Sequence, residues 1–169
     1  MNLPLAIRLG STFQSIDVES GSSGRLVVQV PGESVVPVLT FLKEEGYGYL
    51  QLVSCVDWID RGALQLVYLL SCYTEDEIGG EEGSQEVFVK TNVPRGRASV
   101  PSAIGVYEIA EPYEREIHEL YGVHFEGHPR LTPLFLERDY EIPPFRKDFD
   151  TKQYVADVFD SVPPVKEEG

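Results

Sequence analysis

Two patterns of hydrophobic and polar residues, the alternation typical of strands and the i, i+3/i+4 spacing typical of helices, predict the elements of the chain. Residues 25–30 (RLVVQV) and 86–93 (EVFVKTNV) have the composition and alternation of strands, and turn-forming residues bound the first of them. Two further strands are predicted at 49–56 and 63–71. The residues between these two include two aspartates and a glycine, which favours a hairpin turn. Strands joined by so short a loop pair antiparallel.

Helical spacing marks two other segments. In 33–45 the apolar residues recur at helical spacing, with acid at the start and Gly46 after the end, which predicts one amphipathic helix. A second helix is predicted at 112–121, where apolar side chains fall at i, i+4, i+7 and i+8 and Gly122 closes the helix. A short helix is also expected to begin at 100–104.

These elements predict an α+β domain with a small, mainly antiparallel sheet and helices packed on it. The domain is expected to span residues 1–122, with 1–24 as a loosely ordered start that has room for one strand at 13–18. Residues 123–169 are predicted to form an extended partner-docking segment and tail. Within it, 150–169 either extends the docking segment or is a disordered tail.

Charge and composition narrow the possible functions. Twenty-eight acidic against fourteen basic residues give a net charge of −14, which argues against binding to nucleic acid or anionic lipid. Such acidity favours either solubility or a basic protein partner. No apolar run approaches the roughly 18 residues that cross a bilayer, and residues 3–9 lack a basic leader, so we expect a cytoplasmic protein. The acidic run 73–84 is predicted to be a solvated hairpin tip. Cys55 and Cys72 are expected to be small buried hydrophobes.

All three histidines lie within residues 118–128, which raises the hypothesis of a metal-dependent enzyme. His118 and the glutamate after it begin like a zinc-protease helix, but Gly122 stands where the second histidine is expected. His124 and His128 follow the predicted helix and could converge with a carboxylate only through a turn. The chain also lacks a Gly-x-Ser-x-Gly motif and a glycine-rich phosphate loop, so catalysis by this chain alone is the less favoured alternative.

Residues 130–149 have little periodicity and contain three prolines, so they cannot form a core of their own. They carry more apolar area than a free tail should expose, which predicts that they lie over a protein partner. In this interpretation Arg146 and Lys147 donate to acceptors on that partner. Arg115 is placed nearly opposite the apolar stripe of its helix and is expected to be presented rather than buried with Glu114. A free-standing binding module is a third hypothesis.

Three ordered motifs stand in the region 111–149. They are the Glu-Arg-Glu run at 114–116, the turn Gly122-Val123 followed by Phe125-Glu126-Gly127-His128-Pro129, and the run Arg146-Lys147-Asp148-Phe149. In this order they resemble the signature of the thirty-kilodalton subunit family (the C subunit) of respiratory complex I. With weaker similarities upstream, the resemblance covers roughly residues 25–150.

The resemblance implies a subunit of a membrane-bound, ion-translocating oxidoreductase complex that binds no cofactor itself. It would lie in the hydrophilic arm, on the cytoplasmic side of the membrane, in a hetero-oligomer. The implied partners are iron–sulfur subunits and a large catalytic subunit, with a quinone site in complex I or a nickel–iron site in related hydrogenases. The residues implied to contact partners are Glu114, Arg115, Glu116, Phe125, His128, Pro129, Leu134, Phe135, Phe145, Arg146, Lys147, Asp148 and Phe149.

One departure from the family pattern bears on the branch. Complex I members usually follow the His-Pro pair with a basic run, whereas residues 131–136 of this chain read LTPLFL. The loss of those arginines favours the hydrogenase-like or ferredoxin-driven branch of the family.

Overall fold

A computed structural model of the chain describes residues 4–21, 25–72, 85–136, 140 and 142–158. The main strands are β1 (Asp17–Ser20), β2 (Leu26–Gln29), β3 (Tyr49–Trp58), β4 (Ala63–Cys72) and β5 (Gln85–Pro94). They form one sheet in the order β1-β2-β5-β4-β3, in which β2 and β5 are parallel and the other neighbours antiparallel. The predicted α+β class and mainly antiparallel sheet are confirmed.

The predicted hairpin is formed by β3 and β4. Asp57 pairs with Leu64 and Trp58 with Ala63, so the strands run together to the turn. Gly62 closes this turn with a φ of +61°, a conformation that glycine adopts without strain. The predicted solvated tip at 73–84 lies outside the described residues.

Helix α2 (Val35–Glu44) covers one face of the sheet, after a short 3₁₀ turn at Gly32–Ser34. The apolar positions that predicted it are its buried positions. They are Val35, Val38, Leu39 and Leu42, all fully buried. Full burial of such a side chain contributes about 1.5–3 kcal/mol, so this helix is held mainly by tertiary packing.

Helix α3 (Ala110–Tyr121) packs beside β3 and ends where the sequence predicts. Ile117 is buried against the core, and the hydroxyl of Tyr113 donates to the carbonyl of Gln51 at 3.0 Å, at a bulge in β3. Gly122 follows with a φ of +73°. A Cβ at this position would lie 3.0 Å from Cγ of Pro143 and 3.1 Å from Nη2 of Arg146. Both the backbone angle and the close approach therefore require glycine.

The start of the chain departs from the prediction. Residues expected to be loosely ordered contain helix α1 (Leu5–Thr12), which buries Leu9 completely. The strand predicted at 13–18 is instead observed at Asp17–Ser20. Apolar residues in the first turns alternate like a strand, and α1 forms because the folded domain offers Leu9 a place in its core.

A second departure concerns residues 100–104, where the sequence predicts the start of a helix. The chain forms β6 (Ser99–Pro101) there, which pairs in parallel with β7 (His124–Glu126). Val100 lies opposite Phe125, and both are about 1% exposed. The domain boundary predicted after residue 122 therefore falls inside a packed region. Three-residue strands show no usable periodicity, so only their long-range pairing reveals them.

The last described element is helix α4 (Thr151–Val158), preceded by Asp150. The Asp150 carboxylate accepts the backbone N–H of Lys152 at 2.9 Å and that of Gln153 at 3.0 Å, as a helix N-cap does. Residues 159–169 of the predicted tail lie outside the described part of the chain. None of the described helices is long and apolar enough to cross a membrane.

Candidate docking surface

The segment 130–149, here called the strap, lies against α3 and the end of β3. Its described parts are 130–136, 140 and 142–149. Hydrogen bonds join these described parts to side chains of α3, to the last carbonyls of α3, to Asp57 near the end of β3 and to Arg95. The strap thus packs on its own domain.

Arg115 bonds to the backbone of the strap. Its Nε donates to the carbonyl of Thr132 and its Nη2 to that of Pro133, both at 3.0 Å, while Nη1 lies 3.4 Å from Glu111. The side chain is 12% exposed. The expectation that Arg115 is presented at the surface is therefore corrected. The helix does turn Arg115 away from the core, but the returning strap covers it.

Glu119, one turn further along α3, accepts three consecutive amides of the strap. The N–H groups of Leu134 and Phe135 donate to Oε2 at 3.0 and 3.1 Å, and the N–H of Leu136 donates to Oε1. Glu119 was not among the predicted docking residues. One signal could have found it, because it stands four positions after Arg115 and so projects from the same side of the helix.

The far part of the strap bonds the C-terminal carbonyls of α3. The N–H of Phe145 donates to Leu120 at 3.0 Å, and Nε of Arg146 donates to Tyr121 at 2.7 Å. These carbonyls have no partner within the helix, and a cation at a helix C-terminus interacts favourably with the helix dipole. Arg146 was predicted to donate to a partner, but its Nε donates to a carbonyl of its own chain.

Asp57 anchors the end of the strap. Its carboxylate accepts Nε of Arg95 at 2.8 Å, Nη2 of Arg95 at 3.0 Å and the backbone N–H of Lys147 at 2.8 Å. Nη1 of Arg95 also donates to Asp148 at 2.9 Å. The hydrogen bonds from Arg95 hold the pKa of both carboxyl groups below their ordinary values, and the two carboxylates raise the pKa of Arg95.

An aromatic cluster joins the strap to α4. The ring centroid of Tyr140 lies 5.9 Å from that of Phe149 and 5.1 Å from that of Tyr154, and the centroids of Phe149 and Tyr154 are 5.6 Å apart. Contacts at these distances favour a fixed arrangement of the rings. The ammonium group of Lys147 lies outside this cluster, 5.9 Å from the centre of the Trp58 ring.

Three apolar side chains of the strap face outward. Phe135 is 66% exposed, Phe145 57% and Ile142 39%. Large apolar side chains exposed to this extent on one segment are typical of protein interaction sites. The Phe145 ring keeps one edge-to-face contact with Tyr121, at 5.8 Å between centroids.

A cavity of about 350 Å³ lies between α3 and the strap. The residues that line it are His118, Glu119, Gly122, Leu131, Pro133, Leu136, Tyr140 and Pro143. Two of them, Leu136 and Pro143, are the chain neighbours of the exposed Phe135 and Ile142. The strap therefore contributes both to the lining of this cavity and to the exposed apolar surface.

A family model described as the 30 Kd subunit of respiratory-chain NADH dehydrogenase matches residues 28–155, about three quarters of the chain. The chain belongs to this family. The match spans β3, β4, β5, α3 and the whole strap, so the resemblance read from the three motifs is confirmed.

Similar proteins of known name support this membership. The C subunit of the NADH-quinone oxidoreductase of Neorickettsia sennetsu is 31% identical over 140 residues, which cover 82% of this chain and 71% of that protein. The corresponding C subunit of Moorella thermoacetica is 33% identical, over 81% of this chain and 87% of that protein. The C 1 subunit of Rhizobium etli is 35% identical over 81% of this chain and 66% of its own length.

Two solved structures share the fold. A chain of the membrane-bound sulfane sulfur reductase, an archaeal respiratory membrane complex, superposes with a TM-score of 0.79 at 27% identity, over 96% of this chain and 93% of that one. The trypsin-resistant fragment of Nqo5 superposes with a TM-score of 0.60 over 74% of this chain and 96% of the fragment. At 23% identity this second likeness shows the fold alone.

Two motif residues predicted at the docking surface are internal in this family member. Glu114 is fully buried, and its carboxylate accepts the hydroxyl of Ser102 and the N–H of Ala103, both at 2.6 Å. Burial raises the pKa of this carboxyl group. Phe125 is 1% exposed and fills the core beside Val100. For Glu114 and Phe125 the predicted surface role is corrected, because both side chains are surrounded by their own domain.

Four other predicted docking residues lie at or near the surface. Glu116, His128 and Leu134 are partly buried, and Pro129 is exposed. Nε2–H of His128 donates to the Glu111 carbonyl at 3.4 Å, and its Nδ1 accepts the N–H of Arg130 at 3.0 Å. The His-Pro turn is thus fixed by local bonds and stays open to contact on its proline side.

The three histidines do not converge. Nδ1–H of His118 donates to the carbonyl of Val123 at 2.7 Å, His128 bonds as described above, and His124 is exposed on β7. Within the described residues, no group of three histidine, cysteine, aspartate or glutamate side chains is placed to hold a metal ion. The geometry gives the metal-dependent alternative no support.

Proposed function

We propose that this chain is a structural and assembly subunit of the peripheral arm of a membrane-bound, ion-translocating oxidoreductase complex, and that its strap clamps the large catalytic subunit. One observation carries the clamp. Backbone groups of residues 132–136 and of Lys147 are hydrogen-bonded to Arg115, Glu119 and Asp57, while Phe135 and Phe145 are 66% and 57% exposed. A segment whose backbone is bonded to its own domain while its aromatic rings are exposed is suited to burial against a partner.

The comparisons support the complex. The named relatives are subunits of NADH-quinone oxidoreductases, and the sulfane sulfur reductase is described as a respiratory membrane complex. In this proposal the iron–sulfur clusters, and the quinone or nickel–iron site, are carried by partner subunits on the cytoplasmic side of the membrane. The present chain contributes shape and contacts rather than electron carriers.

The branch is part of the proposal. We place the chain with the hydrogenase-like or ferredoxin-driven relatives, which agrees with the missing basic run after Pro129 and with a match over nearly the full length of the archaeal chain. Identification of the co-purifying large subunit tests this assignment. A large subunit with the cysteine pairs of a nickel–iron protein, or their close derivative, supports it, whereas a standard quinone-type subunit overturns it.

The clamp is tested by incorporation into the complex. An affinity-tagged chain expressed in its host is released with mild detergent, and the fraction that migrates in a large complex is measured. The double change Phe135→Ala and Phe145→Ala should reduce this fraction by about tenfold or more, because two exposed anchors are removed. The matched control is Ile7→Ala on α1, which removes a side chain that is 54% exposed outside the strap.

Incorporation of the double variant at the level of the control would overturn the clamp. Recovery of the unmodified chain as a stable monomer, without any large partner, would overturn the assignment to a complex as well.

A further inference from the structure

Two side chains of α3 hydrogen-bond to backbone atoms in the middle of the strap. Arg115 donates to the successive carbonyls of Thr132 and Pro133, and Glu119 accepts the successive N–H groups of the next three residues. Together they occupy one polar backbone group on each of five consecutive residues, 132–136. Since Arg115 and Glu119 are four positions apart, they stand one helical turn from each other.

We propose that Arg115 and Glu119 act as a backbone clip, a pair of positioning residues that fixes residues 132–136 before docking and so holds the Phe135 ring toward the partner. The role of the ring rests on the proposed clamp, but the clip itself does not. Arg115 presents a planar fork that suits two carbonyls, and the Glu119 carboxylate has enough lone pairs for three N–H donors.

The chemistry of the clip makes it independent of side chains in the strap. Its contacts are to carbonyl oxygens and amide hydrogens, so Phe135 can be changed without removing one of them. At the same time, Phe135 is 66% exposed although its N–H lies within 3.2 Å of both Glu119 oxygens. The backbone at this position is held and the ring is left free.

A clip of this kind lowers the loss of conformational entropy when the strap binds a partner. A free proline-containing segment would have to be ordered when a partner binds, whereas a segment already bonded to a helix loses less conformational freedom. The partner surface that fits it is an apolar recess that receives one aromatic ring and need not supply hydrogen bonds to the backbone of 132–136.

The first test is hydrogen exchange of the free, full-length chain, resolved by residue. In Glu119→Ala the amides of Leu134, Phe135 and Leu136 should exchange about tenfold faster or more, while those of the β4 and β5 strands keep their rates. The control is Glu108→Ala, an exposed glutamate just before α3. Unchanged rates at 134–136 would overturn the clip whatever the strap binds.

A less disruptive variant covers the case in which Glu119→Ala does not fold. Glu119→Gln has nearly the same shape and keeps one acceptor oxygen, so exchange at 134–136 should rise by a smaller factor of about three. No rise in this variant would equally overturn the clip.

The second test separates the clip from the clamp. Glu119→Ala should lower incorporation into the detergent-released complex by about threefold or more, and Phe135→Ala should lower it without changing exchange at Leu134 or Leu136. Faster exchange with normal incorporation in Glu119→Ala would overturn the positioning role. Normal incorporation in the double variant Phe135→Ala and Phe145→Ala would overturn the proposed clamp instead and leave the exchange result standing.

Discussion

The core of the sheet and the strap are held by different forces. In the core, Leu39, Leu64 and Leu70 are fully buried, and each such side chain contributes about 1.5–3 kcal/mol through the hydrophobic effect. In the strap, the large side chains Phe135 and Phe145 are mostly in water, and the backbone is bonded to charged side chains or to helix carbonyls.

Because of this difference, the core mainly determines the stability of the domain, whereas the hydrogen bonds of the strap mainly determine where the strap lies. A hydrogen bond contributes a net of only about 0.5–1.5 kcal/mol, but it is directional and fixes geometry. The strap is therefore placed accurately without adding much to the free energy of unfolding. Regions of this kind open locally while the domain stays folded, so the two regions should respond separately to substitution.

Leu39→Ala should have the largest effect on stability. It removes a fully buried side chain of α2 and leaves a cavity, which costs about 2–5 kcal/mol. Urea unfolding followed by circular dichroism measures the change, with Ile7→Ala, an exposed position, as the control that should stay within about 0.5 kcal/mol. A loss below about 1 kcal/mol would contradict the assignment of α2 to the core.

Asp57→Asn should cost about 2 kcal/mol at neutral pH, because it removes the charge that faces Arg95 in a largely buried pair. The pKa of Asp57 is lowered in the folded state, so its stabilising contribution is present above the unfolded value of about 3.9 and is lost as pH falls through the folded pKa. The stability difference between wild type and variant should therefore shrink in acid. A difference that stays constant from neutral pH down to about 2.5 would rule out this linkage.

The control for that experiment is Asp60→Asn. Asp60 is an exposed aspartate three positions later, in the turn between β3 and β4. Its substitution should change stability by no more than about 0.5 kcal/mol at any pH in this range.

Gly122→Ala should cost about 1–2 kcal/mol, because a residue with a Cβ is strained at a φ of +73°. The added carbon would also press on Pro143 and Arg146, so the amide of Phe145 should exchange faster than the loss of global stability explains. Gly62→Ala is the matched control, since Gly62 also has a positive φ, of +61°, but nothing lies within 4 Å of a Cβ built there. Equal effects of the two substitutions would show that the strap does not depend on close approach at residue 122.

Phe135→Ser should have the smallest effect on the stability of the free chain. Its ring is 66% exposed, so the free energy of unfolding should change by less than about 0.5 kcal/mol. Urea unfolding of the isolated chain checks this value. A loss above about 1.5 kcal/mol would mean that the ring is buried within the chain and would remove the distinction between core and strap.

The elements predicted correctly from the sequence are those with a complete local signal. Helix α2 repeats its apolar residues at helical spacing, the β3–β4 pair has its turn residues between two strand-like runs, and α3 ends at Gly122. Helix α1 was missed because its first turns alternate like a strand, and β6 and β7 were missed because three residues carry no measurable period.

The candidate site was predicted in outline only. Apolar periodicity located the motif helix and composition located the strap, but the resemblance placed Glu114 at the surface, although its carboxylate is bonded to Ser102 and Ala103. Glu119 was left out although it accepts three amides of the strap. A helical wheel shows which side chains share a face, but it does not show which other segment of the chain covers that face.

The sequence by itself determined the α+β class and the helix that ends at Gly122, because local periodicity and short motifs carry that information. The region of docking contacts that it indicates stays a prediction. Only the tertiary structure decided that Arg115 and Glu119 bind the strap backbone, that Arg95 joins Asp57 to Asp148, and that Phe135 is left bare. These contacts join residues that are far apart along the chain, and the exposure of a side chain depends on everything that packs around it.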